Sequence, residues 1–307
     1  MERFRNILAL ATALTLAAAA PPQEGTAVKH RFACADYSAG KVCLVSAEGK
    51  VEWEHPAPNC NDLWVLANGN LLFTTGKGVL EVTPDKKKVF EYKSSSEIYA
   101  CQRLPNGNTF VGECGAGRLL ELDPSANVVR EVKLLPDGKG GHGYMRNARR
   151  LPNGNFLVGH YGPGCVREYD PQGKVVLDIP APGGPHSVAR LPNGNTLVAT
   201  GDHKGPKECK VFEADPKGKT VWEITNADLP EGVSFKFMTG FHRLPNGNTV
   251  MSNWVGHGQF GKAPHIIEVT REKKVVWTFA DHRTMKTISS VVLLDVPGDP
   301  VKGEIRH

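Results

Sequence analysis

The chain lacks most of the short signatures that announce an enzyme class. It has no Cys-x-x-Cys, which removes zinc-ribbon, haem-attachment and thioredoxin-like readings. His-Glu-x-x-His and the EF-hand loop are missing too, so no close ligand spacing points to a metal. The glycine-rich stretch 138–143 has no Gly-Lys-Ser/Thr, and there is no Gly-x-Ser-x-Gly elbow; nucleotide hydrolysis and α/β-type hydrolysis fall away. Aromatic residues make up only 7% of the chain, and no amphipathic helical period persists beyond the N-terminal segment. The formal net charge is +5, yet the basic residues are scattered rather than striped, which excludes nucleic acid as a partner. The densest cluster, Lys86-Lys87-Lys88, falls in a hairpin turn and reads as a solvated tip.

What the sequence does have starts with an export signal. Arg3 and Arg5 precede an apolar run over 7–20 and small residues follow, which predicts cleavage near residue 20 or 27. That run is too short to cross a bilayer, so a periplasmic or extracellular protein of residues 28–307 is expected, one domain with no membrane span after signal removal. Seven cysteines are an odd number for such a compartment, so at least one stays unbridged within the chain. Cys34 with Cys43, and Cys101 with Cys114, lie on consecutive expected strands where a bridge is conceivable.

The organising element is the phrase Leu-Pro-Asn-Gly-Asn at 104–108, 151–155, 191–195 and 244–248, with a weaker copy, Leu66-Ala67-Asn68-Gly69-Asn70. Runs rich in Val, Leu and Thr flank each copy. Asn-Gly accepts positive φ, so each copy predicts a tight β-hairpin with a type I′ turn. A second turn, Asp215-Pro216-Lys217-Gly218, and a strand ending in Val221-Trp222-Glu223 complete four antiparallel strands, one propeller blade. Full blades begin near 60, 98, 145, 185 and 239. Residues 31–55 supply three strands and 289–294 the missing first strand, which predicts an all-β six-bladed propeller of about 46 residues per blade, closed by its C-terminus.

Leu-Pro-Asn-Gly-Asn-Thr-Leu-Val at 191–198, followed by Asp-Pro-x-Gly-Lys-x-Val-Trp-Glu at 215–223, resembles the repeats of bacterial arylsulfotransferase-like six-bladed propellers and, more loosely, quinoprotein (PQQ-type) propellers. The resemblance covers nearly the whole mature chain but is carried by scaffold motifs. It implies a sulfate-accepting His with helper His and Arg around the central opening. At the entrance of the first strands, however, this chain has Pro185-His186-Ser187 and Met145-Arg146-Asn147 in place of that family's His-x-Asn. A quinone-dependent dehydrogenase is disfavoured by the low blade count and the lack of vicinal cysteines.

Repetition separates scaffold from site. Arg103, Arg150, Arg190 and Arg243 all precede the repeated turn and read as braces; Trp53, Trp222 and Trp277 recur in fourth strands and read as packing. Function is sought where blades differ. Five residues before the repeated Leu stand Asn61, Tyr99, Arg146, His186, Thr239 and Ser289, a ring of unlike groups at the mouth of the axial channel. Asp62, Asn147 and Glu97 adjoin them, and loops on the same face add Glu113, His160, Tyr161, His203, Trp254 and His257. Such a mouth suits a polar or anionic small molecule, a ring lying on Tyr or Trp and an anion on Arg.

His186 is the expected base, acid or nucleophile, with His142 as a second group and Arg146 as an anion stabiliser. No organic cofactor is expected; a divalent metal held by three imidazoles and a carboxylate from separate blades is the rival arrangement. Two readings stay open at this stage. One is a propeller that binds and transforms a carbohydrate or aryl sulfate by His chemistry; the other is a non-catalytic module for a protein or polysaccharide partner. Histidines converging on a closed-bottomed pocket favour the first, histidines spread over the rim the second.

Overall fold

The computed structural model describes residues 29–136, 141–201 and 209–297. The export segment and His203 lie outside them. In chain order the strands are β1 (Phe32–Asp36), β2 (Lys41–Val45) and β3 (Val51–Pro56); β4 (Leu63–Val65), β5 (Leu71–Thr74), β6 (Gly78–Val82) and β7 (Lys88–Lys93); β8 (Ile98–Arg103), β9 (Thr109–Glu113), β10 (Arg118–Leu122) and β11 (Val128–Lys133). They continue with β12 (Asn147–Arg150), β13 (Phe156–His160), β14 (Cys165–Tyr169) and β15 (Val175–Pro180); β16 (Pro185–Arg190), β17 (Thr196–Thr200), β18 (Lys210–Ala214) and β19 (Thr220–Thr225); β20 (Met238–Arg243), β21 (Thr249–Asn253), β22 (Ile266–Val269) and β23 (Val275–Phe279); and β24 (Ile288–Leu293). They form six antiparallel four-stranded sheets, one of them ordered β24-β1-β2-β3. This is the closed six-bladed propeller, with the C-terminal strand completing the N-terminal blade. The first strand of each blade packs against its counterparts around the axis.

The repeated turn differs from its expected type. Only glycine takes positive φ in it (Gly107 at 85°, Gly194 at 85°), and the N–H of Gly107 donates to Leu104 O while that of Leu104 donates to Asn108 O. Pro105 and Asn106 therefore form the centre of a type I turn and Gly107 its left-handed bulge, rather than Asn-Gly forming type I′. Proline suits this turn, since its fixed φ fits the first central position of type I, but does not impose it: Ala67 holds the same place in a turn closed by the same bonds, Gly69 N–H to Leu66 O and Leu66 N–H to Asn70 O.

The repeated residues beyond the turn tie blade to blade. In each copy the last Asn donates to a Glu on the third strand of its own blade, as Asn155 does to Glu168 and Asn195 to Glu213, both at 2.6 Å. In three cases the Arg before the next turn reaches back to the same carboxylate, Arg103 to Glu81, Arg190 to Glu168 at 2.6 Å and Arg243 to Glu213 at 3.1 Å, whereas Arg150 bonds Asn155 O in its own turn. At the ring closure His30 takes this role, bonding Glu268 at 2.9 Å and Asp295 at 2.8 Å. Burial opposes charge on His30, but the two carboxylates outweigh it and raise its pKa. The tryptophans repeat a parallel link, Trp53 donating to Pro84 O and Trp222 to Arg271 O, each at 2.8 Å. Arg190→Ala should cost about 2 kcal/mol in urea unfolding, because it strips one charged partner from Glu168, and should leave ligand binding unchanged.

All seven cysteines are buried. Cys34 and Cys43 stand directly opposite each other in β1 and β2, whereas Cys101 faces Val111, so Cys114 is not its cross-strand partner.

Candidate functional site

The six positions five residues before the repeated Leu converge. Asn61, Tyr99, Arg146, His186, Thr239 and Ser289 line one axial cavity of about 430 Å³, together with Tyr37, His142, Tyr161, Phe237, Trp254 and His257. A backbone device repeats at the mouth. In four blades the innermost strand carries an extra residue against its neighbour, and that residue is Tyr99, His186, Thr239 or Ser289. A β-bulge breaks the strict alternation of the strand and re-aims one side chain, here into the channel.

Glycines clear space for the aromatic wall. A Cβ on Gly201 would lie 2.6 Å from the Phe237 ring, and one on Gly256 would lie 2.0 Å from the ring of Trp254. Neither aromatic could keep its orientation beside any larger residue.

Arg146 is the electrostatic centre of the cavity. It is 8% exposed, its guanidinium lies 4.5 Å from the Tyr99 ring centre and 4.7 Å from that of Tyr161, and it donates through Nη1 to the Tyr99 hydroxyl. No carboxylate among the described residues pairs with it, and its Nε has no hydrogen-bond partner. A guanidinium cannot shed its proton to escape burial. Two tyrosine faces offset part of the desolvation, and an unmet donor remains.

A polar relay runs outward from Arg146. Tyr99 Oη lies 3.3 Å from His142 Nδ1, and that nitrogen lies 2.9 Å from the nearer oxygen of Glu97. With Nδ1–H donating to the carboxylate, the lone pair of His142 resides on Nε2. The imidazole is largely exposed, within reach of a molecule entering the cavity. Burial drives the Tyr99 phenol well above its ordinary pKa, against the pull of Arg146, so the hydroxyl keeps its proton.

His186 is buried against Phe237, ring centres 5.2 Å apart, and its Nδ1 donates to Thr239 O at 3.3 Å. Burial first, then the charge of Arg146, push its pKa down to about 3. The unfolded chain therefore takes up a proton between pH 6.5 and about 3 that the folded chain refuses, and stability is full above 6.5 and falls as pH drops through that window. His186→Gln should flatten this acid slope by one proton, read from urea midpoints between about pH 4 and 7.

The other expected site residues lie elsewhere. Asp62 is wholly buried, gripped by Arg149 through both oxygens at 2.8 and 2.9 Å and by the Cys101 N–H. This pair ties the entrance of one first strand to the first strand of another blade, β12, and neither residue lines the cavity. Asn147 accepts from the Val188 N–H, Glu113 receives Tyr92, Ser94 and Arg118, and His160 bonds Tyr169 at 2.8 Å. Glu97 touches the site through His142 rather than lining it. Among the described residues no group of three or more His, Cys, Asp or Glu is arranged to hold a metal.

Tyr37 and Phe237 complete the wall and carry no mark in the repeat phrase. Tyr37 sits in the loop between the second and third strands of a blade that has no Leu-Pro-Asn-Gly-Asn, and Phe237 stands two residues before Thr239, as Glu97 does before Tyr99. Alignment of the first-strand entrances at that offset would have found Phe237.

The sequence matches no protein-family model and no curated protein. Among solved structures, a Bacteroides caccae protein of unknown function is 26% identical, covering 87% of this chain and 100% of its own, with a TM-score of 0.77. What the two share is the fold. A catalytically inactive virginiamycin B lyase from Staphylococcus aureus, solved with quinupristin, aligns at 14% identity over 84% of this chain and 85% of its own, TM-score 0.57. The WD40 propeller domain of Doa1 aligns at 13% over 72% and 70%, TM-score 0.54.

Proposed function

We propose that this chain is an exported propeller that binds an organic anion carrying a planar ring, of the aryl sulfate or acidic sugar class, in its axial cavity, and that the Glu97–His142 pair acts on the bound molecule as a general base. The observation that carries the reading is Arg146, a buried cation without a carboxylate partner among the described residues and with a vacant donor at Nε. A ligand anion supplies the missing acceptor and the missing charge. The ring of the ligand stacks on Tyr161, Phe237 or Trp254, which face the same space.

For chemistry, Nε2 of His142 takes the proton while Glu97 stabilises the imidazolium, and the Tyr99 hydroxyl, polarised by Arg146, donates to charge developing on the substrate. His186, neutral in the physiological range, accepts a hydrogen bond at Nε2 and orients the ligand. Convergence of these groups on one axial cavity supports a small-molecule site over a rim that docks a protein. The basic start and apolar run before residue 28 support export.

A thermal-shift screen of residues 28–307 tests this. Aryl sulfates, aryl carboxylates and sugar acids should raise Tm by mass action, and neutral isosteres of the same rings should not. Equal shifts from neutral and anionic members would remove the anion from the reading.

A further inference from the structure

A second constellation of histidines lies outside the axial cavity. His265, wholly buried just before β22, faces His282 in the loop that leads to β24, their ring centres 4.4 Å apart. Both ring nitrogens of His265 and Nδ1 of His282 are buried without a hydrogen-bond partner. The His265 N–H and C=O are satisfied by Phe279 and Asn253, and the main chain of Asp281 lies beside the His265 ring without meeting hydrogen-bond geometry. Phe260 packs edge-on to His282 at 5.2 Å.

Each of these buried nitrogens calls for a partner, since buried polar groups are satisfied in native proteins by protein, water or an ion, and with ring centres 4.4 Å apart one ion can serve both rings. The Asp36 and Asp281 carboxylates act on His265 electrostatically and make the surroundings favourable to a cation. Their own oxygens are already taken up, those of Asp36 by the N–H groups of Ala39, Lys286 and Thr287 and those of Asp281 by Arg283 and Thr284.

We infer that His265 and His282 form a two-imidazole site for a divalent transition-metal ion, with solvent completing the coordination. Imidazole ligands without thiolate or carboxylate favour Cu²⁺, Ni²⁺ and Zn²⁺, and Cu²⁺ should bind tightest in the Irving–Williams order. The site ties the loop over 254–265 to the loop over 280–287. The first of these also carries Trp254 and His257 into the axial cavity, so the metal clamps one wall of that cavity.

Titration of the untagged mature protein with CuCl₂, followed by calorimetry and electron paramagnetic resonance, tests the assignment. The expected result is one tight equivalent with nitrogen hyperfine structure, weakened at least tenfold in His265→Gln and in His282→Gln and kept in His142→Gln. His282 is partly exposed, so its variant carries the test if His265→Gln does not fold, as checked by circular dichroism. Binding that survives His282→Gln, binding lost in His142→Gln instead, or none tighter than millimolar would overturn the inference.

Discussion

Arg146→Met should weaken binding of an anionic aryl ligand by roughly a hundredfold, since charge-assisted hydrogen bonds each contribute about 1.5–3 kcal/mol. The same change should leave the folded state as stable as before or slightly more so. Removing one member of a buried ion pair strands its partner, but Arg146 has no carboxylate partner among the described residues to strand. Methionine keeps the length and the contact with Tyr99 and Tyr161 while relieving the desolvation of a charge. Ligand titration by Trp254 fluorescence and urea unfolding, run on the same preparation, separate the two effects. A variant that loses stability along with binding would make Arg146 a structural brace like Arg149, which grips Asp62.

Ending the chain at Thr287 should abolish the fold. The deletion removes β24, whose residues Ile288, Val291, Val292 and Leu293 are at most 2% exposed. Four buried aliphatic side chains at about 1.5–3 kcal/mol each amount to roughly 6–12 kcal/mol, against a total stability of about 5–15 kcal/mol for a typical protein. The loss also bares β1 as an open edge in the centre of the ring and takes Ser289 from the cavity wall. Calorimetry should show no cooperative transition in the truncated chain, and a peptide of residues 288–297 added in excess should restore part of it. A truncated monomer with an unchanged Tm would contradict closure by the C-terminal strand.

The fold was readable because one physical requirement recurs. A left-handed residue after Pro-Asn must be glycine to avoid strain, so Leu-Pro-Asn-Gly-Asn marks each hairpin and sets the repeat length. The turn type matters for register: a type I′ turn on Asn106-Gly107 would set Arg103 opposite Phe110, whereas the observed turn sets it opposite Thr109, one residue away, while the order of the strands stays the same. The repeat length placed Asn61, Tyr99, Arg146, His186, Thr239 and Ser289 at one height along the axis. What sequence could not reveal is the direction of side chains at that height. Asp62 and Asn147, next to lining residues, alternate away from the cavity and serve the frame. Bulges at Tyr99 and His186 override that alternation, and no residue pattern announces them. Glu113 and His160 looked alike in kind to the lining residues, yet are fully buried with partners inside their own blades or the next. Tyr37 was hidden because its blade is assembled from both ends of the chain and lacks the marker phrase. His265 was never singled out, although its burial beside His282 carries the second site.

The central claim is that a ligand anion completes Arg146. A crystal structure of the mature protein with an aryl sulfate that raises its Tm tests this most directly. The account predicts the sulfate within hydrogen-bond distance of Arg146 Nε, the ring against Tyr161, Phe237 or Trp254, and His142 Nε2 facing the ligand. An aryl sulfate found on the Asn-Gly face or on the outer strands, with Arg146 untouched, would contradict it.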